Sequence, residues 1–221
     1  MASTKQEGEL GEVYAAETSE ELAEVYDRWS DDYDRYMNEG GYRHPAICSA
    51  LAARYISDLQ SPLIDAGVGT GLVGELLSLL GYQQLIGIDI SERMLNIASH
   101  KGIYSELKTA DLLSCVNLPK DHYTGAVAAG VFTTGHVGPK GFETLCGLVR
   151  QNGRLIITIK STIWDSGFSK YLEKKERSGT IKVLEKTDLY NSIPGAPTNV
   201  PSLAVAIEKL RSLDQGSHVE K

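Results

Sequence analysis

A chain of 221 residues and 24.0 kDa is long enough for one domain with a full core and short for two. A hydrophobic fraction of 42% beside 23% charged residues is that of a globular protein, and no apolar run approaches the roughly 18 residues of a membrane span, so no membrane insertion is expected. The net charge of -7 is uneven: residues 1–40 hold twelve acids against three Lys/Arg, and nowhere does the balance offer the basic footprint that nucleic acid requires, so no nucleic-acid partner is expected.

Residues 1–16 are polar and rich in Gly and Glu, and are expected to be disordered. The stretch TSEELAEVYDRWSDDYDRYM opens on a capping box, Thr18 to Glu21, and places Leu22, Val25, Tyr26, Trp29, Tyr33 and Met37 on one stripe of an amphipathic helix. A second helix is predicted over 45–58, with Pro45 in its first turn. Residues 17–60 thus form an N-terminal helical arm or lid, joined through Gly40 and Gly41.

From residue 62 short apolar runs alternate with helical periods, the pattern of a parallel sheet with crossover helices. Strands are predicted at 62–66, 84–89, about 104–108, 124–130 and 154–160, with helices near 71–80, 92–100 and 139–150. A helix near 166–177 and two late strands, 182–190 and 202–210, complete a core over 61–212, and residues 213–221 are expected to be a flexible tail. The fold class is α/β: a Rossmann-like, seven-stranded, mostly parallel sheet with helices on both faces and the N-terminal helical arm.

Cys48, Cys115 and Cys146 form no C-x-x-C and no Cys/His cluster of metal spacing, so buried or inert thiols and no metal site are expected. The Lys170, Lys174, Lys175, Arg177 cluster is read as a solvated helix face. MASTKQEGELGEV has neither the basic nor the apolar region of a signal peptide, which points to the cytoplasm.

The stretch LIDAGVGTGLVGELL admits two registers. With Gly69, Gly71 and Gly74 it fits the G-x-G-x-x-G of a dinucleotide-binding dehydrogenase, but the preceding strand would then be IDAGV, with a charge and a glycine in a buried parallel position. With Gly67, Gly69 and Gly71 the strand is PLID and the turn AGVGTG, and Asp65 ends the strand at the carboxyl edge, where ligands bind in such sheets. Asp89 ends the second strand in IGIDIS, where an acid can accept both hydroxyls of a ribose.

LIDAGVGTG, GIDISERML, TADLLS and the post-strand AGVFTTGHV, in that order, resemble the class I S-adenosylmethionine-dependent methyltransferases; with the YDRWSDDYDRYM arm, TTGHV is similar to the methyltransferase-like family named for the Williams-Beuren chromosomal region. The resemblance implies S-adenosylmethionine as cofactor, with Gly67, Gly69 and Gly71 at its methionine end, Asp65 near its ammonium, and Asp89 with Ile90 at the ribose. Met94 would pack on adenine, Asp111 and Leu112 would meet the adenine edge, and Gly130 would close the cofactor site after the fourth strand. Helix packing for Met94 and a turn or cap for Asp111 are the alternatives.

Methyl transfer from a sulfonium needs alignment and water exclusion, and aromatic faces favour the positive charge. Tyr26, Trp29 and Tyr33 are candidates for such a wall, with simple packing of the arm as the alternative, above all for Trp29. Phe132, Thr133, Thr134, Gly135 and His136 follow the fourth strand, so His136 is the best-placed titratable residue, either a general base or a histidine that orients the loop or cofactor; His44 is a second candidate. The expected function is methylation of a small-molecule O, N or S nucleophile by a monomer or weak dimer. A protein methyltransferase, a non-catalytic cofactor-binding scaffold and a nicotinamide oxidoreductase are the other classes.

Overall fold

Leu63 and Ile64 are adjacent and fully buried, yet they pack into different layers, because successive side chains of a strand point to opposite faces. The same alternation recurs where Ile156 joins one layer and its neighbours Leu155 and Ile157 the other. Both faces must therefore be covered. A computed structural model, describing residues 8–114, 116–133, 137–196 and 201–211, shows how.

Seven strands form one sheet in the order β3-β2-β1-β4-β5-β7-β6. The first five, β1 (Leu63–Ala66), β2 (Leu85–Asp89), β3 (Tyr104–Thr109), β4 (Tyr123–Phe132) and β5 (Val149–Lys160), pair in parallel. The last two, β6 (Ile181–Lys186) and β7 (Ser202–Lys209), pair antiparallel to each other, and β7 runs antiparallel to β5. The expected Rossmann-like, mostly parallel sheet is thus present. The chain leaves β1 outward to β2 and β3, then returns to β1's other side with β4; this reversal opens a crevice at the carboxyl edge between β1 and β4.

Helices α3 (His44–Tyr55) and α4 (Leu72–Leu79) cover one face through Cys48, Leu51, Ala52, Val73 and Leu77. On the other, Phe142 and Leu145 of α6 (Pro139–Leu148) and Leu172 of α8 (Ser169–Arg177) pack with Phe168. α5 (Glu92–His100) lies over β2 and β3, and the short α7 (Ser161–Ile163) follows β5. The predicted helix at 166–177 is split: a π-helical stretch, Trp164–Phe168, precedes α8, and Gly167 at φ 130° interrupts the regular helix there. The late strand predicted at 182–190 ends at Lys186, leaving Tyr190 as an isolated bridge to Ser202.

The arm helix α2 (Ser19–Gly40) starts on Thr18, whose side chain accepts the Glu21 N–H, and ends at Gly41 in the left-handed region. Leu22, Val25, Trp29 and Met37 are buried on the predicted stripe. One expectation is corrected here: residues 9–15, read as disordered, form α1 (Glu9–Ala15). Leu10 and Val13 bury against the apolar cluster of α2, and Arg28 of α2 pairs with Glu12 at 2.5 Å, so tertiary packing orders a segment that is too short to be helical alone. The tail 213–221, Cys115 and residues 134–136 lie outside the described residues.

Candidate functional site

The crevice between β1 and β4 is the mouth of a partly open cleft. The β1–α4 loop forms its floor. Gly67 and Gly69 have φ of 63° and 53°, a conformation that glycine adopts without strain; a side chain on Gly67 would collide with Val131, whereas the same direction at Gly69 is open space. A ligand can therefore approach the backbone closely.

Asp89 anchors this loop. Its Oδ2 accepts from the Gly69 N–H at 2.8 Å and its Oδ1 from the Ser91 N–H at 2.9 Å. The carboxylate is thus already paired with two backbone amides, but each oxygen keeps further acceptor capacity toward the cleft that it lines. Burial raises its pKa, and the Ser91 and Gly69 amides oppose that shift.

Of the predicted positions, Tyr26, Tyr33, Gly67, Gly69, Asp89, Ile90, Met94, Asp111, Leu112 and Gly130 line the cleft. Asp111 also holds its own turn, accepting from the Leu113 N–H at 2.8 Å, and its Oδ2 takes the Ser19 hydroxyl of α2 at 2.9 Å. Asp65 and Gly71 do not line it. Both back onto Tyr104 of β3: the phenol donates to Asp65 Oδ2 at 2.7 Å, and the side chain missing from Gly71 leaves room for the same ring. Burial pushes the Asp65 carboxyl up to about 7, against the Tyr104 hydrogen bond. Gly74, the third glycine of the alternative register, also abuts Tyr104, so close packing of α4 on the sheet accounts for it.

Trp29, 2% exposed, stands behind the cleft wall, with its ring 4.9 Å from that of Tyr33 and 5.2 Å from that of Tyr36. The wall itself is Tyr26, Tyr33 and Tyr42, whose hydroxyls burial holds well above the usual phenol range and therefore neutral. His136, Thr134 and Gly135 lie outside the described residues; Thr133 before them and Val137 after them both line the cleft. His44 is buried with Nδ1 2.8 Å from the Tyr190 hydroxyl, and burial with the nearby Lys160 charge pushes its pKa down to about 3.

Sequence reasoning missed how the arm is attached. Asp27, Asp31 and Asp34 recur at helical spacing on α2 and face the core: Asp27 Oδ1 takes the Ser91 hydroxyl at 2.5 Å and the Arg93 N–H at 3.3 Å, Asp31 pairs with Arg93 at 2.9 Å, and Asp34 accepts from Thr70 of the glycine loop and pairs with Lys101 at 3.3 Å. The i, i+4, i+7 pattern of acids was the available signal. Ser19 and Tyr42, also in the lining, carried none, whereas Leu22 lay on the predicted stripe.

Among the described residues no group of three His, Cys, Asp or Glu could hold a metal ion, and no helix is long and apolar enough to cross a membrane. The family model described as "Methyltransferase domain" matches residues 64–157. The chain is 27% identical over 193 residues to Methyltransferase-like protein 27 of Homo sapiens, across 85% of this chain and 76% of that protein. Among solved structures, the [4+2]-cyclase SpnF superposes with a TM-score of 0.66 at 15% identity, covering 88% of this chain and 97% of that one. A TehB-like SAM-dependent methyltransferase of Corynebacterium glutamicum superposes at 0.60 with 18% identity, covering 83% and 97%.

Proposed function

Taking as premise that the chain is a class I S-adenosylmethionine-dependent methyltransferase, we propose that its methyl acceptor is a small molecule, held against the phenol wall of the cleft. The observation that carries this is the roof that the arm makes over the crevice: Tyr26 and Tyr33 of α2 and the adjoining Tyr42 line it together with the glycine loop.

The glycine loop, the spare acceptor capacity of Asp89, and the apolar Met94 and Leu112 beside Asp111 fit the cofactor. When bound, S-adenosylmethionine supplies an activated methyl group on a positively charged sulfur. Asp89 would hold the ribose hydroxyls; Gly67 and Gly69 would admit the methionine end; Asp111 would accept from the adenine amine. Tyr26, Tyr33 and Tyr42 supply neutral aromatic faces, worth about 0.5 to 2 kcal/mol per good contact with a cation, and exclude water. Holding the acceptor in line is the larger contribution, up to roughly 7 to 11 kcal/mol.

We assign the proton acceptor to His136, tethered between the lining residues Thr133 and Val137. In this role its imidazole takes the proton of the attacking O, N or S as the new bond forms. His136→Ala should lower kcat by at least a hundredfold and leave cofactor affinity within threefold of wild type; a loss below threefold in kcat, or a selective loss of cofactor affinity, would refute the assignment.

A further inference from the structure

Ser19, Leu22, Tyr26 and Tyr33 of α2 all line the cleft, and their spacing of three, four and seven residues keeps one side of the helix toward the ligand space. Ser19 begins this stripe. Its hydroxyl is not needed to cap the helix, because the Thr18 side chain already accepts the Glu21 N–H. It donates instead to Oδ2 of Asp111, at 2.9 Å, and Asp111 lines the cleft as well.

The hydrogens at this corner are spent. The Ser19 hydroxyl and the Ser114 hydroxyl, the latter at 3.3 Å, go to Asp111 Oδ2, and the Leu113 N–H goes to Oδ1 at 2.8 Å. A carboxylate has about four acceptor sites, so these donors leave one, while a hydroxyl that gives its hydrogen away keeps its lone pairs. Asp111 and Ser19 thus offer a ligand two neighbouring acceptors and no donor. A nitrogen with two N–H bonds matches that pair, whereas a ring C–H leaves it unsatisfied.

We propose that Ser19 is a cofactor-recognition residue: the adenine amine gives one hydrogen to Asp111 and the other to Ser19 Oγ, so that core and arm read the base together. The inference rests on the placement of adenine at Asp111 given above and adds the arm's side of it. Its consequence is that the first turn of α2 docks on the base as well as on the protein.

The test is calorimetric titration of the full chain, as wild type, Ser19→Ala and Ser19→Thr, with S-adenosylhomocysteine and with its analogue in which hydrogen replaces the 6-amino group. Ser19→Ala should lose about five- to tenfold in affinity for S-adenosylhomocysteine, the loss expected of one hydrogen bond, and stay within about twofold of wild type for the analogue. Ser19→Thr keeps the hydroxyl and should bind both ligands as wild type does. Unchanged binding of the analogue also reports that Ser19→Ala is folded with its cleft intact. Equal losses for the two ligands would mean that Ser19 only fastens the arm to Asp111, and a loss below about twofold for S-adenosylhomocysteine would leave the base to Asp111 alone; either overturns the inference while the cofactor reading stands. Wild type that binds both ligands equally would overturn the placement of adenine at Asp111 along with it, and wild type that binds neither would overturn the cofactor reading itself.

Discussion

Asp89 joins the floor of the cleft to the end of β2, and its role is double: it accepts two backbone amides and still faces the space where the ribose would lie. Asp89→Ala should therefore weaken S-adenosylmethionine binding more than tenfold and also lower the melting temperature, since charged hydrogen bonds are worth about 1.5 to 3 kcal/mol each. Calorimetry and thermal melts check both; an unchanged affinity in a folded variant would remove Asp89 from the site. Asp65 makes a separate prediction. Its folded carboxyl titrates at about 7 and an unfolded one near 3.9, so the folded state binds more protons between those values and stability falls as pH rises through them. Asp65→Asn keeps an acceptor for Tyr104 and removes the buried charge. Its advantage over wild type in denaturant melts should be near zero at pH 4 and reach the order of 1 to 4 kcal/mol at pH 8; an advantage independent of pH would contradict the burial argument. The two histidines separate by the same logic. His44, held at about 3, is neutral from pH 5 to 9, so a base there would give a flat rate profile, whereas a base at His136 should give a rate that falls at acid pH. Strand-end position and glycine spacing directed attention to Asp89, Gly67 and Gly69 from the sequence alone. The same reasoning could not separate them from Asp65 and Gly71, because what turns those two away from the cleft is Tyr104, a residue 39 positions beyond Asp65 and on another strand.

At the scale of elements, α2 is bound at both ends of the ligand space: Ser19 on Asp111 at one, Asp34 on Thr70 of the glycine loop at the other. Binding in the cleft should therefore slow hydrogen exchange in α2, and equal exchange with and without S-adenosylhomocysteine would show that the arm is no lid. Trp29→Ala, which empties a site 2% exposed among three tyrosine rings, should destabilise the protein by about 3 to 5 kcal/mol in denaturant unfolding. The sheet strands were legible because a buried parallel strand must be a short apolar run, and the stripe of α2 because its period is helical. Helix α1 was not. Its Leu10, Val13 and Tyr14 do recur at helical spacing, but over fewer than two turns and among Gly and Glu, and it is the surface of α2, absent from any local window, that orders them.

At the scale of the whole molecule, the reversal of strand order between β1 and β4 and the folding of α2 over that edge make a partly open, phenol-walled cleft. The fold alone does not fix the chemistry, since the cyclase SpnF shares it. The phenol roof is what speaks for a small acceptor. The direct measurement is transfer of tritiated methyl from S-adenosylmethionine in a cell extract, with the products divided by size, run beside Asp89→Ala. The account predicts label in the small-molecule fraction, absent with the variant; label confined to protein or RNA, or none above the variant's background, would contradict it.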